Sequence, residues 1–276
     1  MFYLILAFCS SALVSVFMRL GDGKSQKPLG MLTANYVVCT VLAAAESASS
    51  GLFPAEPGLA GALGLGAVNG VFYLAGFLLF RLAVKRCGVV LSATFMKLGL
   101  LVTMVLSIVF FGEVPGPLQI LGFVLAVAAI VLMNYRSGEG RFGLILILLM
   151  LCGGMCDGMS KIYEELGAPS LSAQFLFYTF TTALALCFSM AAAKKQLPGK
   201  EELLYGALIG IPNFFSCRLL LLALRTVPGV IAYPVYSVAG ILVVTLAGVL
   251  LFRERLEKRQ WAALTVILAA LVLLNL

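Results

Sequence analysis

Three ionisable side chains stand inside long apolar runs: Lys97 in the run 88–112, Arg218 in 202–225 and Asp157 in 142–163. A charge at the centre of a membrane span costs about 2.5–3.5 kcal/mol on an insertion scale, so such a residue faces the bundle interior or a wet cavity. Lys97 and Arg218 together could hold the anionic end of a small molecule. Asp157 would then be the counter-charge, the ligand of an amine, or a proton carrier. The competing reading is that Asp157 pairs with Lys161 four residues on, or with one of the two basic residues, and only neutralises charge.

Polar and aromatic residues recur around these charges at helical spacing. Tyr233, Tyr236, Ser237 and Gly240 fall at i, i+3, i+4 and i+7, one face of a helix, and Ser92, Phe95, Met96 and Gly99 stand at matching sites earlier in the chain. Gln174, Tyr178, Thr181 and Thr182 add a third such face, and Asn69, Tyr73 and Asn213 lie inside neighbouring runs. Each is a candidate for substrate binding, weighed against interhelical hydrogen bonding worth about 0.6 kcal/mol on average.

The elements that would position these residues are membrane spans. Of 276 residues, 62% are apolar, 11% are charged and none is histidine, and the mean hydropathy is +1.09. That composition excludes a soluble globular domain. Apolar runs separated by Gly, Pro or charge fall at about 2–20, 29–48, 58–82, 88–112, 115–134, 142–163, 170–193, 202–225, 229–252 and 259–275. The expected fold is an all-α integral membrane protein of ten transmembrane helices. The run at Phe2 has no basic n-region and no evident cleavage site, so it reads as a retained span. Seven cysteines, mostly within apolar runs and without a CxxC pair, read as packing residues, with no metal site and no cofactor expected.

The net charge of +7 forms no basic tract with interleaved aromatics, so membrane lipids rather than nucleic acid are the expected partner. Fifteen of the nineteen Lys and Arg fall after spans 1, 3, 5, 7 and 9. The positive-inside rule makes that side cytoplasmic and places both termini outside. Residues 72–134 match 213–275 at a constant offset of 141, with identities such as Gly88/Gly229, Gly99/Gly240, Glu113/Glu254 and Asn134/Asn275. An offset of 142 extends the match to Tyr36/Tyr178 and Thr40/Thr182. The chain therefore divides into five-helix repeats at 1–136 and 137–276, within one transmembrane domain. An odd number of spans per repeat makes the two halves inverted, the architecture of secondary transporters. Gly66/Gly70, Gly154/Gly158 and Gly206/Gly210 are GxxxG pairs suited to close helix packing.

The stretches "RTVPGVIAYPVYSVAGILVV", "FRERLEKRQW" and "ALVLLNL", with "KRCGVVLSATF" and "FFGEVPGPLQILGFVLAVAAIVLMN" in the first half, resemble the half-repeat signature of the drug/metabolite transporter superfamily. With the span count and the repeat, the whole chain is similar to its ten-helix EamA-like members. The second repeat alone also resembles the four-helix small multidrug resistance proteins. The resemblance implies an alternating-access carrier of small metabolites or drugs. The small multidrug proteins couple through a glutamate in their first helix; Gly153, and Ser11 in the first half, stand at that position here, so that coupling chemistry does not transfer. The family tryptophan is matched by Tyr236 and Phe95. Glu113 and Glu254 match a family glutamate and read as structural anchors, with a gating contact as the alternative.

The expected function is a secondary-active carrier in a bacterial plasma membrane, moving a small anion or zwitterion such as an amino acid or organic acid. Its substrate site would draw on Lys97, Arg218, Asp157, Tyr233, Tyr236, Ser237, Tyr73, Asn69, Asn213, Tyr178, Ser92 and Phe95, with Asp157 as the coupling candidate. Coupling to protons or to substrate exchange, and a monomer or a homodimer, are equally compatible with the sequence. The alternatives are an organic-cation or multidrug carrier, which the tyrosines of span 9 would suit through cation–π contact, a non-transporting membrane subunit, and a membrane-embedded enzyme. The last lacks a histidine or a convincing carboxylate pair near the interface, so no enzyme is expected.

Overall fold

A computed structural model of the chain describes residues 2–48, 50–112, 116–134, 140–224, 229–254 and 256–273. Its helices are α1 (Phe2–Asp22), α2 (Pro28–Ser47), α3 (Leu59–Cys87), α4 (Val89–Lys97), α5 (Leu100–Phe111), α6 (Pro117–Asn134), α7 (Gly140–Leu166), α8 (Ser172–Ala193), α9 (Lys200–Leu224), α10 (Gly229–Phe252) and α11 (Lys258–Leu273). A short 3₁₀ turn, Pro169–Leu171, precedes α8. Among the described residues seven helical stretches are long and apolar enough to cross a membrane, and Pro117–Ala126, Tyr236–Phe252 and Trp261–Leu273 are shorter apolar helices. Large apolar side chains such as Ile5, Val41, Val68, Val109 and Leu246 face outward, the reverse of a soluble surface.

The helix expected over 88–112 is two helices. It breaks at Leu98–Gly99, directly after Lys97. Across the break the bonds tighten to an i→i+3 pattern: Gly99 N–H donates to Met96 O (3.2 Å), Leu101 N–H to Leu98 O (3.0 Å) and Val102 N–H to Gly99 O (2.8 Å). The cause is a backbone contact that only glycines permit. A Cβ on Gly99 would fall on the backbone of Gly153 and Gly154, and one on Gly154 would fall on Gly99 O and Val102. Thr103 Oγ1 then donates to Gly154 O (3.2 Å), fastening α5 to α7. Overpacking a filled core costs about 1–3 kcal/mol, so Gly99→Ala and Gly154→Ala proteins should each unfold at lower temperature in detergent than the wild type. Melting at the wild-type temperature would refute the contact.

The remaining glycine pairs do what their spacing suggests. Gly66 and Gly70 of α3 lie against the backbone of α8 at 175–183, and Gly206 and Gly210 of α9 lie against α2 at 31–38. In both pairs the residue numbers rise together, so α3 runs parallel to α8 and α2 parallel to α9. By contrast, Leu29 N–H meets Gln196 Oε1 (3.4 Å) while Thr33 Oγ1 meets Cys187 Sγ (3.4 Å), so α2 runs antiparallel to α8. α6 packs on α11, α1 on α9 and α10, and α7 on α3, α4 and α5.

The ends of these helices are tied by carboxylates. Glu202 is buried: its oxygens accept from Ser25 Oγ (3.1 Å), Lys27 N–H (3.3 Å) and Gly199 N–H (3.0 Å). Asp22 pairs with Arg81 at 2.6 Å, joining α1 to α3.

Candidate functional site

A cavity of about 100 Å³ opens at the break between α4 and α5, walled by six helices. Three come from each half of the chain. Ser11, Val14 and Ser15 of α1 face it, and so do Gly153, Cys156 and Asp157 of α7, which are their mates at offset 142. Gly76 of α3 and Cys217 of α9 form another such pair at offset 141. α4 contributes Ala93, Met96 and Lys97, and α10 contributes Tyr236, Gly240 and Val244.

Lys97 is the last residue of α4, so its side chain leaves the helix where the ladder is interrupted. Its Nζ lies 3.6 Å from the centroid of the Tyr236 ring, a cation–π contact. Gly240, one turn beyond Tyr236, leaves room for the lysine stem: a Cβ there would stand 3.5 Å from Lys97 Cε. The ring is itself fixed, because Tyr236 Oη and Ser216 Oγ share a hydrogen bond of 2.8 Å. Asp157 lines the same cavity. Among the described residues neither Lys97 nor Asp157 is in an ion pair. The cavity thus carries one cation and one anion, each able to take a partner of opposite charge.

Two further polar contacts shape the wall. Tyr73 Oη and Cys217 Sγ share a hydrogen bond of 2.6 Å, and Tyr36 Oη donates to Tyr73 O (3.1 Å). Asn213 reaches the cavity edge, but its amide donates to Asn35 Oδ1 (3.2 Å) and Cys39 Sγ (3.5 Å). Neither residue is free to turn without breaking helix contacts. Among the described residues no group of three or more His, Cys, Asp or Glu could hold a metal ion.

Of the residues singled out in the sequence, Lys97, Asp157, Tyr236, Tyr73 and Asn213 come together here. The others lie elsewhere. Arg218 is paired with Glu46 of α2. Lys161 bonds Glu165 at 2.9 Å instead of reaching back to Asp157. Ser92 is buried and donates to Gly88 O (2.7 Å), Phe95 is fully buried in the core, and Ser237 is also buried. Asn69 donates to Thr179 Oγ1 (3.5 Å). Tyr178 donates to Leu52 O (2.6 Å) beside Phe53, and Gln174 holds Ser50 (2.8 Å) and Gly51 O (3.0 Å), so this helix face anchors the loop after α2. The side chain of Tyr233, like Glu113 and Arg225, falls outside the described residues. Sequence reasoning missed Ser15, Cys156, Ser216 and Cys217. The repeat offset was the available signal for Ser15, the mate of Asp157, and for Cys156, the mate of Val14.

Comparison with known proteins bears on the fold and the family. An uncharacterised protein of Haemophilus influenzae is 23% identical over 203 residues, covering 71% of this chain and 69% of that one. A protein of known crystal structure superimposes with a TM-score of 0.67 at 14% identity, over 98% of this chain and 96% of the other, a likeness of fold alone. The model of the EamA-like transporter family matches twice, over residues 1–135 and 142–276. With nearly every residue inside one of those two matches, this helical, multi-pass chain belongs to the EamA-like transporter family, within the drug/metabolite transporter superfamily.

Proposed function

We propose that the chain is an alternating-access secondary carrier of a small zwitterion, with the cavity between its halves as the substrate site. Lys97 takes the carboxylate and Asp157 takes the ammonium group. The observation that carries this reading is the charge left available in the cavity. Arg218 is neutralised by Glu46, while Lys97 leans on an aromatic ring and Asp157 on no cation at hydrogen-bond distance among the described residues. A site with one cation and one anion is neutral when empty and complementary to a dipolar ligand. A purely anionic substrate would leave Asp157 opposing it. The volume of about 100 Å³ suits a small amino acid rather than a bulky drug.

The two halves, 1–136 and 137–276, act as an inverted pair of five spans each, ten in all when α4 and α5 count as one interrupted span. The antiparallel run of α2 against its mate α8 supports this, as do the matched cavity residues of α1 and α7. An interrupted helix at the site is the form secondary transporters use to present polar backbone to substrate. The basic charge of the loops after spans 1, 3, 5, 7 and 9 supports an orientation with both termini outside a bacterial plasma membrane. Asp157 is the group placed to carry a proton when the ammonium leaves.

The second reading, an organic-cation carrier, draws on Tyr236. In this structure that ring face is already occupied by Lys97, which disfavours a second cation there.

A thermal-shift panel of amino acids, carboxylic acids and quaternary ammonium compounds on the detergent-purified protein tests the reading. Small amino acids should raise the melting temperature of the wild type and lose that effect in the Asp157→Asn protein. Stabilisation by quaternary ammonium compounds alone would replace the zwitterion with a cation. Stabilisation by carboxylic acids that survives Asp157→Asn would leave only Lys97 at the site.

A further inference from the structure

The surroundings of the cavity differ at its two ends. Toward α7's C-terminus, Ser160 and Glu164 follow Asp157 by three and seven residues, on the same helix face, and Leu221 follows Cys217 by one turn of α9. With Tyr163, Gly167, Pro169 and Ser172 these line a vestibule of about 200 Å³. That end lies beside Gly58, which contacts Ala168 and Leu171, at the start of α3.

At the other end, by the close of α3 and the basic loops, α4 meets α10. Below the cavity residue Val244, a Cβ on Gly248 would overlap Val90 Cγ2, so the Val90 side chain sits in the hollow that the glycine leaves. One step further out, α4 begins after Gly88 (φ 85°), a glycine N-cap with no side chain to satisfy the first amides of the helix. Glu254, just past the end of α10, supplies what is missing. Its Oε1 accepts from Val89 N–H (2.7 Å) and its Oε2 from Val90 N–H (3.2 Å), and the carboxylate fills the space a Cβ on Gly88 would need. A charged acceptor on two amides at a positive helix end is a strong, charge-assisted contact. It joins two helices that both line the cavity and belong to opposite halves.

We propose that Glu254 is a latch: its carboxylate on the α4 N-terminus holds the basic-loop end shut, and that end opens only when the contact is released. The inference rests on the alternating-access reading. The contact at Gly248 is apolar and the cap at Gly88 brings no side chain of its own, so at these two positions the seam can part without breaking another polar side-chain contact. A one-residue carboxylate clasp is then what decides whether it does.

Cys156 and Cys217 line the cavity and serve as native reporters. The cationic, membrane-impermeant reagent 2-(trimethylammonium)ethyl methanethiosulfonate would be applied to right-side-out and inside-out vesicles, and modification of the two cysteines read by peptide mass spectrometry. Wild-type cysteines should react from the vestibule end and be protected from the basic-loop end. In the Glu254→Gln protein, reaction from the basic-loop end should rise at least tenfold. A folded Glu254→Gln protein that keeps wild-type protection overturns the latch, and so do wild-type cysteines that react equally from both ends. Should Glu254→Gln fail to fold, Glu254→Asp, with the charge retained at shorter reach, must show the one-sided opening. Wild-type protection in Glu254→Asp, or failure of both variants to fold, makes Glu254 a static cap and overturns the proposal. None of these outcomes depends on the ligand, so a failed latch is distinct from a failed zwitterion site.

Discussion

The Lys97→Gln protein should fold and insert as the wild type does, yet lose ligand-dependent stabilisation altogether. A ligand at 100 times its Kd stabilises the folded state by about 2.7 kcal/mol, a shift that thermal denaturation in detergent resolves easily. Lys97 Nζ rests on the Tyr236 ring and not on a carboxylate. Removing the charge breaks no ion pair at hydrogen-bond distance and leaves the helix contacts in place, although Asp157 loses the cation that shares its cavity. Glutamine keeps the stem as far as Cδ, puts an amide where Lys97 Cε packs beside Gly240, and cannot attract a carboxylate as an ammonium does. A stabilising amino acid whose effect survives Lys97→Gln at the same concentration would place the carboxylate elsewhere. A Tyr236→Phe protein refines the test, because it preserves the ring under Lys97 and removes only the bond to Ser216. Its ligand response should weaken without vanishing.

Much of this site was legible from residue types and spacing, and the reason is physical. An ionisable residue inside an apolar run is so costly that it must face a cavity or a partner. Lys97, Asp157 and Arg218 all obey that rule. Sequence could not say which alternative each takes, because the choice depends on the neighbour across the helix interface. Glu46 sits at the end of α2, 172 positions before Arg218, and no local pattern links them. The same holds for Tyr178 and Gln174: their spacing marks a polar helix face, but only the course of the loop at 50–53 makes that face a loop anchor. The break after Lys97 was hidden because Leu98 and Gly99 continue an apolar run whose breaking agent, the backbone of Gly154, lies on another helix. The partners of Glu202 and Glu254 were hidden for a related reason: each satisfies amides contributed by a distant segment. Repeat symmetry is the one long-range signal the sequence carries unaided, and it points from Asp157 to Ser15 and from Gly153 to Ser11.

Arg218 is where sequence and structure pull apart, and its variants decide between them. Breaking a fully buried ion pair by removing one partner costs about 3–5 kcal/mol. The Arg218 and Glu46 side chains retain 20% and 23% exposure, so the loss here should fall below that range. Glu46→Gln is the more damaging single change, because it leaves a guanidinium within a span without its carboxylate, and Arg218 already has one buried nitrogen, Nη1, lacking a hydrogen-bond partner. The double Glu46→Gln, Arg218→Gln protein should recover much of the loss, a coupling that a double-mutant cycle measures directly in thermal or denaturant unfolding. If the pair is structural, the double variant also responds to ligand as the wild type does, since both charges leave together and the cavity keeps Lys97 and Asp157. An Arg218→Gln protein that melts at the wild-type temperature but no longer responds to any ligand would reverse this assignment. Arg218 would then be a substrate residue that Glu46 holds in reserve, and the site would be anionic in preference after all.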